Sequence, residues 1–149
     1  MSAKLLYQRA LRWLSRREYT RHALELKLRA EESPVSDICA VLDQLESQGY
    51  VSDQRAAEAL YRARSGRYGW LRLQQEFMRQ GVTEAVAQPL LSQAKREEIQ
   101  AVQSVWQKKF GRLPQTRDES GRQARFLSGR GFTLDAIRHV LKGVTEEDD

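Results

Sequence analysis

Two residue types that often carry chemistry are scarce in this sequence. Its 149 residues include one cysteine, Cys39, and two histidines, His22 and His139. One cysteine excludes an internal disulfide framework, and two histidines far apart in sequence do not indicate a zinc or other transition-metal site. We therefore interpret Cys39 as a buried structural thiol and both histidines as partly exposed helix residues.

The sequence also lacks long apolar runs and catalytic motifs. No stretch approaches the roughly 18 apolar residues that span a bilayer, and no signal peptide opens the chain. There is no Gly-x-Ser-x-Gly elbow, Walker loop or dinucleotide-binding fingerprint. The acidic pairs Glu97-Glu98 and Asp118-Glu119 fall in predicted first turns of helices, where they suit the helix dipole. Together with the single cysteine, these absences predict a cytoplasmic protein without a membrane span, and the sequence gives no sign of a catalytic, metal or cofactor site.

Strand signals are missing, and helix signals fill the chain. Apolar residues recur three and four positions apart, as in Ile99, Val102 and Trp106. Capping residues, prolines and glycines divide such stripes into nine predicted helices. Predicted spans include 20–31, 33–49, 52–65, 70–81, 95–110 and 133–143, with caps at Thr20, Ser33, Ser52 and Thr133 and a capping box of Thr116 and Glu119.

A turn sequence recurs along the chain. Gln-Gly-Val-Thr at 80–83 resembles Arg-Gly-Phe-Thr at 130–133, with a weaker match at 34–36. A glycine beside a helix start can cradle a phosphate, but a recurring glycine favours a helix end, with Phe132 packed inward. Only Arg130 of this turn then remains a candidate contact residue.

A period near 50 residues predicts tandem helical repeats. We place the three-helix repeats at 1–51, 52–94 and 95–145, followed by an acidic tail at 146–149. Pro89 lies about six residues into its predicted helix, where it removes a hydrogen bond, so we expect a kink or a later start there.

The charge of the chain favours a polyanionic partner. The net charge is +5 and the isoelectric point is about 9.6. Basic residues concentrate in 1–30, 61–80 and 108–130, so stacked repeats would align basic stripes along one surface.

The segment 60–81 interleaves arginines with aromatic residues. Arginine binds phosphate or carboxylate in a bidentate manner, and aromatic rings offer stacking faces. The alternative is a solvated arginine face over a core lined by Trp70 and Leu73, and both interpretations stay open. For the stripe of Arg9, Arg12 and Arg16, a solvated face is the simpler interpretation.

Two other helical DNA-binding classes fit poorly. Myb-type repeats require closely spaced tryptophans in each unit, whereas Trp13, Trp70 and Trp106 are far apart. A helix-turn-helix repressor requires a recognition helix, and no helix rich in Asn, Gln and Arg stands out.

Four segments resemble the RecX family, the regulators of the RecA recombinase. GYVSDQRAAEALYRAR (49–64) is similar to the family's Gly-Tyr-Leu-Asp-Asp-x-Arg-Phe signature. GRYGWLRLQQEFMRQGVTEAV (66–86) is similar to its Gly-x-x-Arg-Ile-x-x-Glu-Leu-x-x-Lys-Gly-Ile pattern. RFLSGRGFTLDAIRHVL (125–141) resembles its closing segment, and ALRWLSRREYTRHALELKL (10–28) its first unit. The resemblance covers nearly the whole chain. The departures are Ser52 for an acid, Ala56 for an aromatic residue and Trp70 for a proline.

The resemblance implies a fold and a function. The fold would be all-α, with three tandem three-helix repeats in an elongated, curved array. The function would be that of a non-enzymatic, monomeric regulator of DNA repair and recombination. It would bind RecA filaments in the helical groove or at the filament end, inhibit recombinase, ATPase and co-protease activities, and bind DNA weakly.

Arginines are the predicted contacts with the filament or DNA. The candidate residues are Arg62, Arg64, Arg67, Tyr68, Arg72, Arg79, Arg112, Arg122, Arg125 and Arg130. Two other functions stay open, because arginine stripes serve them equally well. One is a helical-repeat protein with DNA itself as the main ligand, and the other is a repeat scaffold for other proteins.

Overall fold

A computed structural model of the protein describes residues 2–142. Over this range the chain forms nine α-helices and no strand, which confirms the predicted all-α class. The helices are α1 (Ala3–Leu14), α2 (Arg21–Arg29), α3 (Val35–Ser47), α4 (Asp53–Arg64), α5 (Trp70–Arg79), α6 (Glu84–Arg96), α7 (Glu98–Lys109), α8 (Arg117–Gly129) and α9 (Leu134–Leu141). None of the helices in this range is long and apolar enough to cross a membrane.

Hydroxyl caps begin several helices where the sequence predicts them. Thr20 Oγ1 accepts from the Ala23 amide at 3.0 Å, and Ser52 Oγ accepts from the Arg55 amide at 3.2 Å. Thr133 caps α9 in the same way. Each cap satisfies an amide of the first turn that has no partner within its own helix.

The predicted capping box at the start of α8 is present, but Glu119 binds the amide of Gln115, one residue before the predicted amide of Thr116. The Glu119 amide donates to Thr116 Oγ1 at 3.1 Å. The Glu119 carboxylate reaches back past the cap and accepts from the amide of Gln115 at 2.7 Å. The box therefore fixes the chain entering α8 as well as its first turn.

Two predicted helix starts are wrong. Pro34, and not Ser33, immediately precedes α3, because its ψ of 141° is extended. The helix predicted over 95–110 begins only at Glu98, since α6 continues through residue 96 and Glu97 has φ near −94° and ψ near 0°.

Of the two alternatives expected at Pro89, a kink or a later start, the later start does not occur. The helix α6 begins at Glu84 and continues through Pro89 to its end. Proline removes one helical hydrogen bond at that point. Ala87 and Leu91, on either side of the proline, are both buried.

The described chain divides into two compact units. Of the described residues, the first comprises 2–60 with 77–86, and the second comprises 61–76 with 87–142. The core of the first unit is aliphatic: its fully buried side chains include Leu6, Leu24, Leu28, Ile38, Leu42 and Leu45. The three-repeat boundaries at 1–51, 52–94 and 95–145 stay a prediction.

The core of the second unit contains larger rings and a buried amide. Val102, Leu127, Phe132 and Ile137 are at most 2% exposed, so the inward packing predicted for Phe132 is confirmed. Trp106 Nε1 donates to Gln123 Oε1 at 2.9 Å, which gives the buried indole N–H a partner.

In the first unit, the recurring glycine turn contacts the start of α2. Thr20 Oγ1 donates to the carbonyl oxygen of Gln80 at 2.6 Å. A Cβ added to Gly81 would lie 2.6 Å from the Cβ of His22, closer than real atoms approach. The glycine therefore both ends α5 and permits this contact.

Candidate functional site: four arginines around Tyr68

The candidate site lies in the second unit, where α4 ends and α5 begins. The Gly69 amide donates to the carbonyl oxygen of Arg130 at 2.9 Å, and the Leu71 amide donates to that of Gly131 at 3.1 Å. First-turn amides of a helix have no partner within the helix, so the α8–α9 turn supplies these acceptors. Two segments 60 residues apart in sequence are thereby joined through their backbones.

Glycine is required on both sides of this contact. A Cβ on Gly69 would collide with the carbonyl group of Gly131. A Cβ on Gly131 would lie 2.7 Å from the backbone nitrogen of Arg72, and the φ of Gly131 is +88°. The glycines allow a close approach of two backbones, so no phosphate is needed to explain them.

This backbone contact brings four guanidinium groups around one ring. The carbon Cζ lies 4.2 Å from the centroid of the Tyr68 ring in Arg72, 5.0 Å in Arg130, 5.7 Å in Arg64 and 5.8 Å in Arg67. Cations within about 6 Å of an aromatic face are attracted by its quadrupole, so the ring helps to hold four like charges together. We call these five residues the Tyr68 cluster.

One arginine of the Tyr68 cluster already has a carboxylate partner. Arg64 Nε and Nη2 both donate to Glu76, with distances of 2.8 and 2.9 Å for the two shortest bonds. Hydrogen bonding to Glu76 raises the pKa of Arg64 above its ordinary value. This bidentate pair fixes Arg64 beside the ring.

The other three arginines have no acidic partner among residues 2–142. No carboxylate of this range lies within 4.0 Å of the guanidinium groups of Arg67, Arg72 or Arg130. Arg130 Nη1 donates only a long bond, 3.4 Å, to the carbonyl oxygen of Arg67. Within the described part of the chain, the Tyr68 cluster therefore presents three positive charges without an acidic partner, which suits phosphate or carboxylate groups of a partner.

A rigid hydrogen-bonded pair lies next to the Tyr68 cluster. The Tyr61 hydroxyl donates to Glu97 Oε2 at 2.6 Å, and Gln93 Nε2 donates to the other oxygen at 3.1 Å. The Tyr61 bond is the main cause that lowers the pKa of Glu97, while burial and Glu97 raise the pKa of Tyr61. Tyr61, Glu97, Tyr68 and Gly69 line a cavity of only about 20 Å³, too small for a ligand. The candidate feature is therefore the group of arginines itself, of which Arg67 is exposed and Arg72 and Arg130 are half-buried, and not a pocket.

The remaining predicted contact residues lie outside the Tyr68 cluster. Arg112 and Arg122 line a separate open cleft of about 260 Å³ together with Lys109 and the carboxylate-bearing Glu119. The others are exposed and the structure places none of them on the Tyr68 ring: Arg62, Arg79 and Arg125. Arg79 belongs to the first unit.

Sequence reasoning missed the relationship at the centre of the site. Arg130 is 62 residues from Tyr68, and neither residue type nor local spacing indicates that they meet. The recurring glycine turn was the one indication in the sequence. A glycine that recurs at the end of a helix can mark a repeated close contact as well as a repeated helix end. The ion pair of Arg64 with Glu76 was also missed.

Residues considered for metal binding or catalysis are dispersed. Among residues 2–142, no three His, Cys, Asp or Glu side chains are grouped so that they could hold a metal ion. His22 and His139 are exposed, in line with the helix-histidine interpretation. The prediction that Cys39 is buried is wrong, because its side chain is half-buried beside the fully buried Ile38.

Comparison with protein families identifies two parts of the chain. Residues 7–45 match the first three-helix domain of RecX, and residues 96–141 match the third three-helix domain of RecX. Solved structures support the same fold. The chain superposes on a RecX crystal structure from Lactobacillus salivarius with a TM-score of 0.76 and 18% identity, covering 97% of both chains. A second structure, of a regulatory protein RecX, gives a TM-score of 0.77 at 19% identity, covering 95% of this chain and 73% of that one.

Curated relatives are similar over nearly their full lengths. Proteins named regulatory protein RecX are 38% identical in Chromobacterium violaceum, covering 97% of this chain and 94% of the relative, and 40% identical in Pseudomonas syringae pv. tomato, covering 93% and 91%. Another, from Acidithiobacillus ferrooxidans, is 42% identical over 93% of this chain and 90% of its own. With this identity and coverage, the chain belongs to the RecX family of regulatory proteins.

Proposed function

We propose that this protein binds RecA nucleoprotein filaments and inhibits RecA recombinase, ATPase and co-protease activities. Membership of the RecX family supports a role as a RecA regulator. The single observation that carries the proposal is the Tyr68 cluster, where Arg67, Arg72 and Arg130 converge without carboxylate partners among the described residues.

The chemistry of the Tyr68 cluster suits a filament of protein and DNA. Such a filament offers carboxylates from RecA and phosphates from the bound strand, and arginine binds both groups in a bidentate manner. The guanidinium groups are held by a ring and by a backbone contact, so less side-chain freedom is lost when they bind a partner. Several such contacts along one filament would add by avidity.

Inhibition follows from occupancy of the filament. A protein in the helical groove hinders the entry of duplex DNA or of a repressor substrate. At the filament end, it blocks the addition of the next RecA protomer. Blocked growth lowers ATP turnover, because fewer protomers complete the cycle on DNA.

The experiment is a titration of the protein into RecA filaments preformed on single-stranded DNA, followed by ATP turnover. We expect turnover to fall with increasing protein, and the protein to sediment with the filaments. An unchanged turnover at every ratio of protein to RecA would refute the proposal. Direct DNA binding as the main function predicts instead tight binding to DNA without RecA and no sedimentation beyond that of DNA alone.

A further inference from the structure

A buried carboxylate lies beside the α8–α9 turn, and the proposed function assigns it no role. Glu98, the first residue of α7, is 5% exposed, and within residues 2–142 it is the only buried acidic side chain. Its two oxygens accept from the amide of Thr133 at 3.1 Å and from the hydroxyl of Thr133 at 3.0 Å. Burial of a carboxylate is costly unless hydrogen bonds satisfy it, and here both oxygens bind one residue.

Glu98 completes a helix cap for which α9 has no acid of its own. In a capping box, an acid three residues after the cap accepts from the backbone at the cap. Glu119 has this position in α8, whereas the corresponding residue of α9 is Ala136, which has no acceptor side chain. The hydroxyl of Thr133 still accepts from the amide of Ala136. The acid of the box therefore comes from α7, 35 residues earlier in the chain.

The turn that Glu98 fixes is the one that builds the Tyr68 cluster. Its carbonyl groups accept from the amides of Gly69 and Leu71, and its Arg130 lies on the ring of the cluster. Three residues after Arg130, the chain is bound by Glu98. All of these residues belong to the second unit. The start of α5 therefore binds one part of the turn, and α7 binds its end.

From these contacts we infer that Glu98 is a positioning residue for the Tyr68 cluster. Without its carboxylate, the amide and the hydroxyl of Thr133 lose their acceptor, and the turn shifts to find another. Arg130 moves with the turn, so fewer guanidinium groups converge on the ring and an anionic partner is bound less tightly. Because Glu98 is buried, it acts only through the turn. This inference rests on the proposed function and adds a residue that is not one of the contact arginines.

Two pairs of variants separate positioning from general stability. Glu98→Ala removes both acceptors, whereas the side chain of Glu98→Gln keeps one acceptor and can donate to the Thr133 hydroxyl. Thr133→Val removes the hydroxyl, and Thr133→Ser keeps it. Gln123→Ala is the matched control, because it takes a buried partner from Trp106 in the same unit. Within residues 2–142, none of the side-chain hydrogen bonds of Gln123 involves the turn.

Amide hydrogen exchange, followed by NMR on the protein alone, measures how firmly the turn is held. The amides of Gly69 and Leu71 report the contact with the turn, and the amide of the fully buried Leu127 reports unfolding of the whole unit. In Glu98→Ala we expect exchange at Gly69 and Leu71 to rise at least about tenfold relative to Leu127. Glu98→Gln and Gln123→Ala should leave this ratio close to that of the wild type.

Inhibition of RecA ATP turnover is measured on the same variants. We expect the half-inhibitory concentration to rise about fivefold in Glu98→Ala, and to rise also in Thr133→Val, because the arginines of the Tyr68 cluster are no longer held together. The variants that keep the hydrogen bonds, Glu98→Gln and Thr133→Ser, should inhibit like the wild type. The control Gln123→Ala should do so as well.

Each result decides the inference. Equal exchange ratios in Glu98→Ala and Gln123→Ala overturn it, as does equal inhibition by these two variants, since Glu98 would then contribute only stability. Equal behaviour of Glu98→Gln and Glu98→Ala also overturns it, because the hydrogen bonds would not be the cause. If Glu98→Ala does not fold by circular dichroism, the comparison of Thr133→Val with Thr133→Ser decides. Absence of RecA inhibition by the wild type would refute the proposed function alone, because the exchange measurement contains no RecA and still tests how Glu98 holds the turn.

Discussion

The amide of Gly69 donates a 2.9 Å hydrogen bond to the carbonyl oxygen of Arg130. This bond joins the start of α5 to the turn before α9, and it places the side chain of Arg130 on the Tyr68 ring. A comparable contact occurs in the first unit, where Thr20 donates to the carbonyl oxygen of Gln80. Each glycine turn therefore has two roles. It ends one helix, and its backbone carbonyl groups accept hydrogen bonds from the start of another helix.

Substitution of Gly131 tests this contact. Gly131→Ala adds a Cβ against Arg72 at a φ of +88°, and should lower the free energy of unfolding by about 1–3 kcal/mol. Gly129 is a matched control two residues earlier, since a Cβ added there meets no atom within 4 Å. Gly129→Ala should be neutral or stabilise by up to about 1 kcal/mol. Urea unfolding measures both, and equal stabilities of the two variants would contradict the close approach described.

Substitution of Tyr68 tests the role of its ring. Tyr68→Phe keeps the aromatic face and should inhibit RecA like the wild type. Tyr68→Leu removes the face, so Arg67, Arg72 and Arg130 lose the attraction that offsets their mutual repulsion and move apart. We expect the half-inhibitory concentration in the ATP turnover assay to rise by about fivefold. Equal loss in both variants would show instead that the hydroxyl matters and the ring does not.

The pair of Tyr61 and Glu97 predicts a pH-dependent contribution to stability. The pKa of Glu97 is lowered mainly by its hydrogen bond from Tyr61, so this stabilisation is present above the ordinary pKa of about 4.3 and is lost as pH falls through the lower folded value. The pKa of Tyr61 is raised by burial first and by Glu97 second. Its contribution is present below about pH 10 and is lost as pH rises through the folded value.

Removal of the Tyr61 hydroxyl tests both the acid and the alkaline limit of this stabilisation. Tyr61→Phe should unfold with about 1–2 kcal/mol less free energy near neutral pH. The difference from the wild type should shrink below about pH 4 and again above about pH 10. Denaturant unfolding across this range measures it. A difference that stays constant between neutral and acid pH would contradict the account of Glu97.

Local rules predicted most of the helices, because their causes lie within a few residues. Thr20, Ser52 and Thr133 cap helices where the sequence places them, since a cap needs only its own hydroxyl and an amide nearby. The boundary near Glu97 was missed. The buried carboxylate of Glu98 accepts from the Thr133 amide at 3.1 Å and from its hydroxyl at 3.0 Å, a partner 35 residues away that no local pattern reveals.

The candidate site was predictable only in part, because some of its contacts join residues that are far apart in the sequence. Alternation of arginine with aromatic residues singled out the segment 60–81, and Arg64, Arg67 and Arg72 of that segment do lie around Tyr68. The same pattern also included Arg62 and Arg79, which do not. The relation of Tyr68 to Arg130 depends on the backbone contact between two turns. The ion pair between Arg64 and Glu76 depends on how α4 and α5 face each other. Residue spacing within one helix cannot show this.

The most direct test of the central claim compares two variants that lose the same charge. R67A/R72A/R130A removes the unpaired arginines of the Tyr68 cluster, whereas K108A/R117A/R138A removes three exposed basic residues for which the structure shows no side-chain partner within residues 2–142. Both are titrated into RecA filaments on single-stranded DNA while ATP turnover is followed. We predict that the second variant inhibits like the wild type and that the first requires at least about tenfold more protein. Equal inhibition by both variants, whether retained or lost, would contradict a specific role of the Tyr68 cluster.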